Sequence, residues 1–133
     1  MPLPQQRRFP RSHASVRDAR AFVHQVLVEW DRTDRLDDIK LCASELATNA
    51  LLHGVPPGRE YRVTLELDGT VMRLGVRDTG SPFVALQASD TLACSGRGLH
   101  LIRQPADDMG VTEHVIGKTV WAAFRTDRRP GTP

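Results

Sequence analysis

Residues 61–78 read YRVTLELDGTVMRLGVRD, and two independent signals in this stretch agree on a β-hairpin. Tyr61, Val63, Leu65 and Leu67 alternate with Arg62, Thr64 and Glu66, the period of a strand with one buried face. Asp68-Gly69 then supplies a two-residue turn. With that turn Leu67 is expected opposite Thr70, Leu65 opposite Met72, Val63 opposite Leu74 and Tyr61 opposite Val76, which puts the apolar partners on one face. The inward phase of Met72, Leu74 and Val76 continues to Asp78, so a carboxylate points where the core residues point. One reading of Asp78 is a turn-starting aspartate bonded to its own backbone before Thr79-Gly80-Ser81-Pro82. The other is an acceptor at the rim of a pocket.

Upstream of the hairpin the period is helical. Ser15 with Asp18 three residues on has the form of a capping box, and Val16, Ala19, Val23, Val26, Leu27 and Trp30 follow as one stripe ending near Asp31. A second helix is expected from Thr33 or Asp34, with Leu36, Ile39, Ala43, Leu46 and Ala50 inward, stopping at Gly54 before Pro56 and Pro57. Downstream, residues 83–95 are irregular and residues 98–103 read as a short helix. Two strands close the chain, 111–116 and 118–125, joined at Gly117. The run Val120, Trp121, Ala122, Ala123, Phe124 fits a strand covered or paired on several sides. The order predicts an α+β two-layer sandwich, a mixed and mostly antiparallel sheet with helices on one face. One domain is expected over 12–126, with 1–11 a flexible terminus or edge strand built around Arg7 to Phe9, and 127–133 a flexible tail.

A chain of 133 residues buries about two thirds of its surface, enough for one core without staples. Hydrophobic residues at 40% and charged residues at 26% exclude a disordered composition. The formal net charge is +2, and the 16 arginines among 18 basic residues are scattered, which argues against direct nucleic-acid binding. Cys42 and Cys94 read as reduced thiols of a cytoplasmic protein. No apolar run reaches membrane-spanning length, and MPLPQQRRFPRSH lacks the apolar core of a signal peptide.

Polar residues also stand in unexpected places. Glu45 is the only ionisable side chain besides cysteine in LCASELATNALL, and Asn49 lies one turn further along the same face. They are either a solvated helix edge with a loop contact or a pair facing a ligand, because a buried carboxylate needs a partner. Gly96-Arg97-Gly98-Leu99 opens the short helix, where close backbone approach and free N–H groups favour phosphate; the bland alternative is a flexible loop. Gly117-Lys118-Thr119 superficially looks like the end of a phosphate loop, but Thr112 stands where that motif needs glycine, so a turn is preferred. The histidines form no metal-protease or zinc pattern, and no nucleophile-elbow motif occurs.

Taken in order, ELATNALLHG, RDTGSP, GRGLHLI and GKTVWAAF resemble the ATP-binding domain shared by histidine kinases, type II topoisomerases, heat-shock chaperones and mismatch-repair ATPases, the Bergerat or GHKL fold. Within that group the chain looks most like the small RsbW-like anti-sigma factors that are also serine-protein kinases. The resemblance implies ATP and Mg²⁺ as cofactors. It implies that Asn49 helps hold the metal, that Glu45 orients or deprotonates the attacking hydroxyl, and that Asp78 accepts the adenine amine. Gly80 would let the base approach, Thr119 would assist through its hydroxyl, Gly96, Arg97, Gly98 and Leu99 would wrap the triphosphate, and 83–95 would form a lid. Pro82 stands where the family has a second glycine, and Pro105 interrupts the helix after the second glycine motif. The implied partners are a sigma factor and a STAS-type anti-anti-sigma protein, with a homodimer possible and neither membrane nor direct nucleic-acid contact. A full sensor histidine kinase is excluded, since no dimerisation helix pair with a phosphoacceptor histidine is present. The rival from another class is a nucleotide-dependent protein-binding module with little or no kinase activity.

Overall fold

Burial alternates along the central hairpin of a computed structural model that describes residues 2–54, 59–78, 106–115 and 117–126. β2 (Glu60–Asp68) and β3 (Val71–Arg77) are antiparallel, and Tyr61, Val63, Leu65, Leu67, Met72, Leu74 and Val76 are all buried. The register differs from the expected one by two residues: Leu67 faces Met72, Leu65 faces Leu74 and Val63 faces Val76. The loop is Gly69-Thr70 rather than Asp68-Gly69, with Gly69 at φ +63° in the first loop position, where a Gly-X hairpin takes its left-handed residue. A slip of two keeps every side chain on its face, so the inward set survives the change.

Three further strands complete the described sheet. β1 (Gln5–Pro10) pairs with β2 at one edge. β4 (Asp108–Glu113) pairs with β5 (Lys118–Arg125), and β5 with β3, giving the order β1-β2-β3-β5-β4 with each pair antiparallel. β4 begins and ends three residues earlier than its apolar residues suggested, because Asp107 N–H and the Ala123 carbonyl extend the ladder backwards.

The helices cover one face. α1 (His13–Glu29) buries Ala19, Phe22, Val23, Val26 and Leu27. Its cap is Ser12, whose hydroxyl accepts from Ser15 N–H at 3.3 Å, and not Ser15 itself. Ser15 is buried in the first turn, donating to the Ser12 carbonyl and sharing a 2.7 Å bond with the Tyr61 hydroxyl. Its only proton goes to that carbonyl, so Tyr61 is the donor between the two hydroxyls. Phe9, Phe22 and Tyr61 meet beside it, with ring centroids 6.1 and 5.8 Å apart.

α2 (Leu36–Asn49) buries Ile39, Cys42, Ala43, Leu46 and Ala47 and packs on α1, β3 and β5. It starts slightly later than expected, at Arg35, whose side chain does not cap the helix, and Asp37 and Asp38 in the first turn complement the helix dipole. Arg35 bonds Asp38 at 3.0 Å, Asp107 at 2.9 Å and the Arg125 carbonyl at 3.0 Å, pinning the helix start to the far end of β5. Burial, followed by the charge of Asp38, pushes the Cys42 thiol up to about 12, so this cysteine is a packing group. Among the described residues no helix is long and apolar enough to cross a membrane.

Candidate functional site

Two strands end side by side on the helix-covered face, and each contributes one charge. Asp78 follows β3 in the phase of Leu74 and Val76, and Lys118 opens β5 in the phase of Val120, Ala122 and Phe124. Both are buried, with 3% of each side chain exposed. Lys118 Nζ lies 2.6 Å from Asp78 Oδ2, and the Lys118 N–H donates to Oδ1 at 3.3 Å. The Asp78 N–H returns a bond to the Lys118 carbonyl at 3.0 Å. Asp78 therefore bonds backbone across the sheet, at the opening residue of β5.

Gly117 makes this approach possible. Its φ is +80°, and a Cβ there would collide with the Asp78 carbonyl oxygen. The glycine expected merely to join two strands is thus also what brings Asp78 against β5.

Thr119 is not part of this pair. It sits one residue out of phase, on the outer face of the sheet, and its hydroxyl shares a 2.8 Å bond with His114. Alternation along β5 gives the inward place beside Asp78 to Lys118 and the outer face to Thr119, the residue to which the motif resemblance gave a nucleotide contact. Lys118 was legible by the same parity rule that singled out Asp78.

α2 lies over β3 and β5 and carries Glu45 and Asn49, both half-buried. The Asn49 amide nitrogen is buried without a hydrogen-bond partner. Just beyond it the helix widens into a π turn, Ala50–Gly54, where the i to i+4 ladder is broken. Arg11 Nε donates to the Leu51 carbonyl at 3.2 Å and holds that turn to the end of β1. Thr48 and Ser44 return their hydroxyls to carbonyls four residues back, at 2.8 and 3.2 Å, leaving Asn49 as the polar side chain of this turn with capacity to spare. Gly80, Gly96, Arg97, Gly98, Leu99, the expected 83–95 lid, the 98–103 helix, Pro82, Pro105 and Cys94 lie outside the described residues. Among the described residues no cluster of three or more His, Cys, Asp or Glu side chains forms a metal site.

A family model for the histidine kinase-like ATPase domain matches residues 9–124, and the chain belongs to that family. Nucleotide binding goes with that domain. More particularly, an anti-sigma F factor of Shouchella clausii (strain KSM-K16) is 31% identical over 116 residues, covering 77% of this chain and 79% of that protein. A solved structure of the RsbU and RsbW domains of a Mycobacterium tuberculosis protein matches 96% of this chain with a TM-score of 0.72 and 20% identity. This chain spans 34% of that one, and the likeness speaks to the fold. The α+β sandwich and the RsbW-like resemblance read from the motifs are both borne out.

Proposed function

We propose that the chain binds ATP with Mg²⁺ on the helix-covered side of the β3 and β5 ends, and acts as a cytoplasmic anti-sigma factor that phosphorylates a serine or threonine of a STAS-type anti-anti-sigma protein. The observation that carries this reading is Asp78, a buried carboxylate fixed in direction by both the backbone and the ammonium of Lys118. An ionised carboxylate only accepts hydrogen bonds, which matches the donor character of the exocyclic amine of adenine. Lys118 keeps Asp78 aimed, with its ammonium 2.6 Å from one carboxylate oxygen, while Gly117 leaves room for the two strand ends to approach.

The Asn49 head group suits the metal and phosphate end. An amide has one oxygen for a cation and an N–H₂ group for a phosphate oxygen, and here the nitrogen is buried without an acceptor. Glu45, one turn earlier on the same helix, would take the proton of the attacking hydroxyl. Bound Mg-ATP would supply the phosphoryl group and charge neutralisation, leaving the protein to position and to accept one proton. Gly80, Gly96, Arg97, Gly98 and Leu99 are assigned to the base and triphosphate by their motifs. Similarity to the Shouchella clausii anti-sigma F factor supports a sigma factor as the sequestered partner. A homodimer belongs to the same reading.

Incubation with γ-labelled ATP, magnesium and candidate anti-anti-sigma proteins should place label on a serine or threonine. Glu45→Ala should leave nucleotide binding intact and depress that transfer. Persistent absence of label with a partner proven to bind would favour the protein-binding module without kinase activity, and unaltered turnover in the variant would remove Glu45 from the chemistry.

A further inference from the structure

The outer face of the sheet carries charge for which the nucleotide site has no use. Arg8 stands opposite Arg62, and Arg62 opposite Arg77, in the ladders of β1, β2 and β3. Residues directly opposite in antiparallel strands share a face, with Cβ atoms about 5 Å apart. Their sequence neighbours Phe9, Tyr61, Val63, Val76 and Asp78 are buried on the helix side, so the three guanidinium groups belong to the side away from the helices. Like charges in such register weaken a ladder. Among the described residues the ion pairs are Arg35 with Asp38 and Asp107, and Lys118 with Asp78; none involves the row. The row continues through Thr119 to Thr112, and a hollow of about 290 Å³ opens along it over Gly75.

We propose that this face docks an acidic segment of a partner protein, with Arg8, Arg62 and Arg77 receiving its carboxylates. The proposal takes from the preceding reading only that the chain works by binding proteins. Three guanidinium groups at strand spacing make a line about 10 Å long, which suits successive carboxylates better than one compact anion. Nucleic acid fits less well, because single strands need aromatic faces for base stacking. Trp121, the indole of this face, is already engaged within the chain: its ring lies across Gly110, where a Cβ would meet it at 2.6 Å, and the Arg73 guanidinium stacks over it at 4.9 Å. A second copy docked here about a two-fold axis would set one arginine row against another.

The test uses the full chain and a fluorescein-labelled peptide of alternating glutamate and threonine, read by fluorescence anisotropy. The peptide should bind at low ionic strength and weaken steeply with salt. Arg62→Gln should weaken it about tenfold, as expected for one lost charge-assisted contact. The triple change Arg8→Gln, Arg62→Gln, Arg77→Gln should abolish binding, and Arg17→Gln on the exposed side of α1 should leave it unchanged. In low salt the Tm of Arg62→Gln should equal or exceed that of the unaltered chain, a result a purely structural arginine would not give. The proposal is overturned by no binding at low salt, by unchanged binding in the triple variant, by a lower Tm in Arg62→Gln, or by an oligothymidine held more tightly through the same arginines. Calorimetry with ADP on the same variants reports the nucleotide site separately, so failure of one reading is distinguishable from failure of the other.

Discussion

The two faces of the sheet handle charge in opposite ways. On the helix side Asp78 and Lys118 are buried, opposite in sign and 2.6 Å apart. On the outer side Arg8, Arg62 and Arg77 are alike in sign and set against one another by the ladder. The inner pair is tolerable only because each charge has the other, since desolvating a lone ion is very costly. The outer row is tolerable because water screens it. Charge that the fold needs is thus matched within the chain, whereas the outer surplus is available to a molecule from outside.

The inner pair breaks with the largest effect. Asp78→Ala or Lys118→Ala alone should cost about 3–5 kcal/mol in urea denaturation, because the remaining charge is left buried. Asp78→Asn combined with Lys118→Met should recover most of that loss and yet bind ADP roughly tenfold to 150-fold more weakly by calorimetry, about 1.5–3 kcal/mol. A double variant with unchanged affinity would take Asp78 out of the nucleotide site.

Gly117→Ala attacks the same contact through the backbone. A left-handed φ costs a non-glycine residue about 1–2 kcal/mol, and the clash with the Asp78 carbonyl adds to it. The denaturation midpoint should fall accordingly, whereas Thr119→Ala on the other face should leave ADP affinity unchanged.

Smaller effects are expected where water reaches the charges. The Arg125 backbone N–H, helped by Arg35, holds the Asp107 carboxyl below its ordinary 3.8. A group lowered in the folded state adds stability above its unfolded pKa and loses it as pH falls through the folded value. Stability should therefore decline as pH drops below about 3.8, and less so in Asp107→Asn. With 41% of its side chain exposed, solvent screening limits the contribution to within about 1 kcal/mol. Smallest is the outer row: Arg62→Gln should gain roughly 0.2–1 kcal/mol in low salt, vanishing at high salt. A clear loss there would mean that the two faces do not differ in the way described.

Much of this contrast was legible as parity. Met72, Leu74 and Val76 carry the inward phase to Asp78, and Val120, Ala122 and Phe124 carry it back to Lys118. The motif resemblance drew attention to Thr119, one residue away, and one residue in a strand is the difference between the two faces. Ser15 was misread for another reason. Its local pattern is that of a cap, but Tyr61 claims its hydroxyl from 46 residues away. The capping position falls to Ser12.

Local chemistry alone determined the helical stripes, the hairpin, the inward set and the order of motifs, because each depends on residues close in sequence and on fixed periods of 3.6 and 2. Strand order, the hairpin's final register, the meeting of Asp78 with Lys118 and the alignment of Arg8, Arg62 and Arg77 were decided by the tertiary structure. Those features join residues far apart along the chain, and which side chains become neighbours depends on how separate elements pair and pack. Periodicity specifies the face a side chain occupies, and only the assembled sheet specifies its company there.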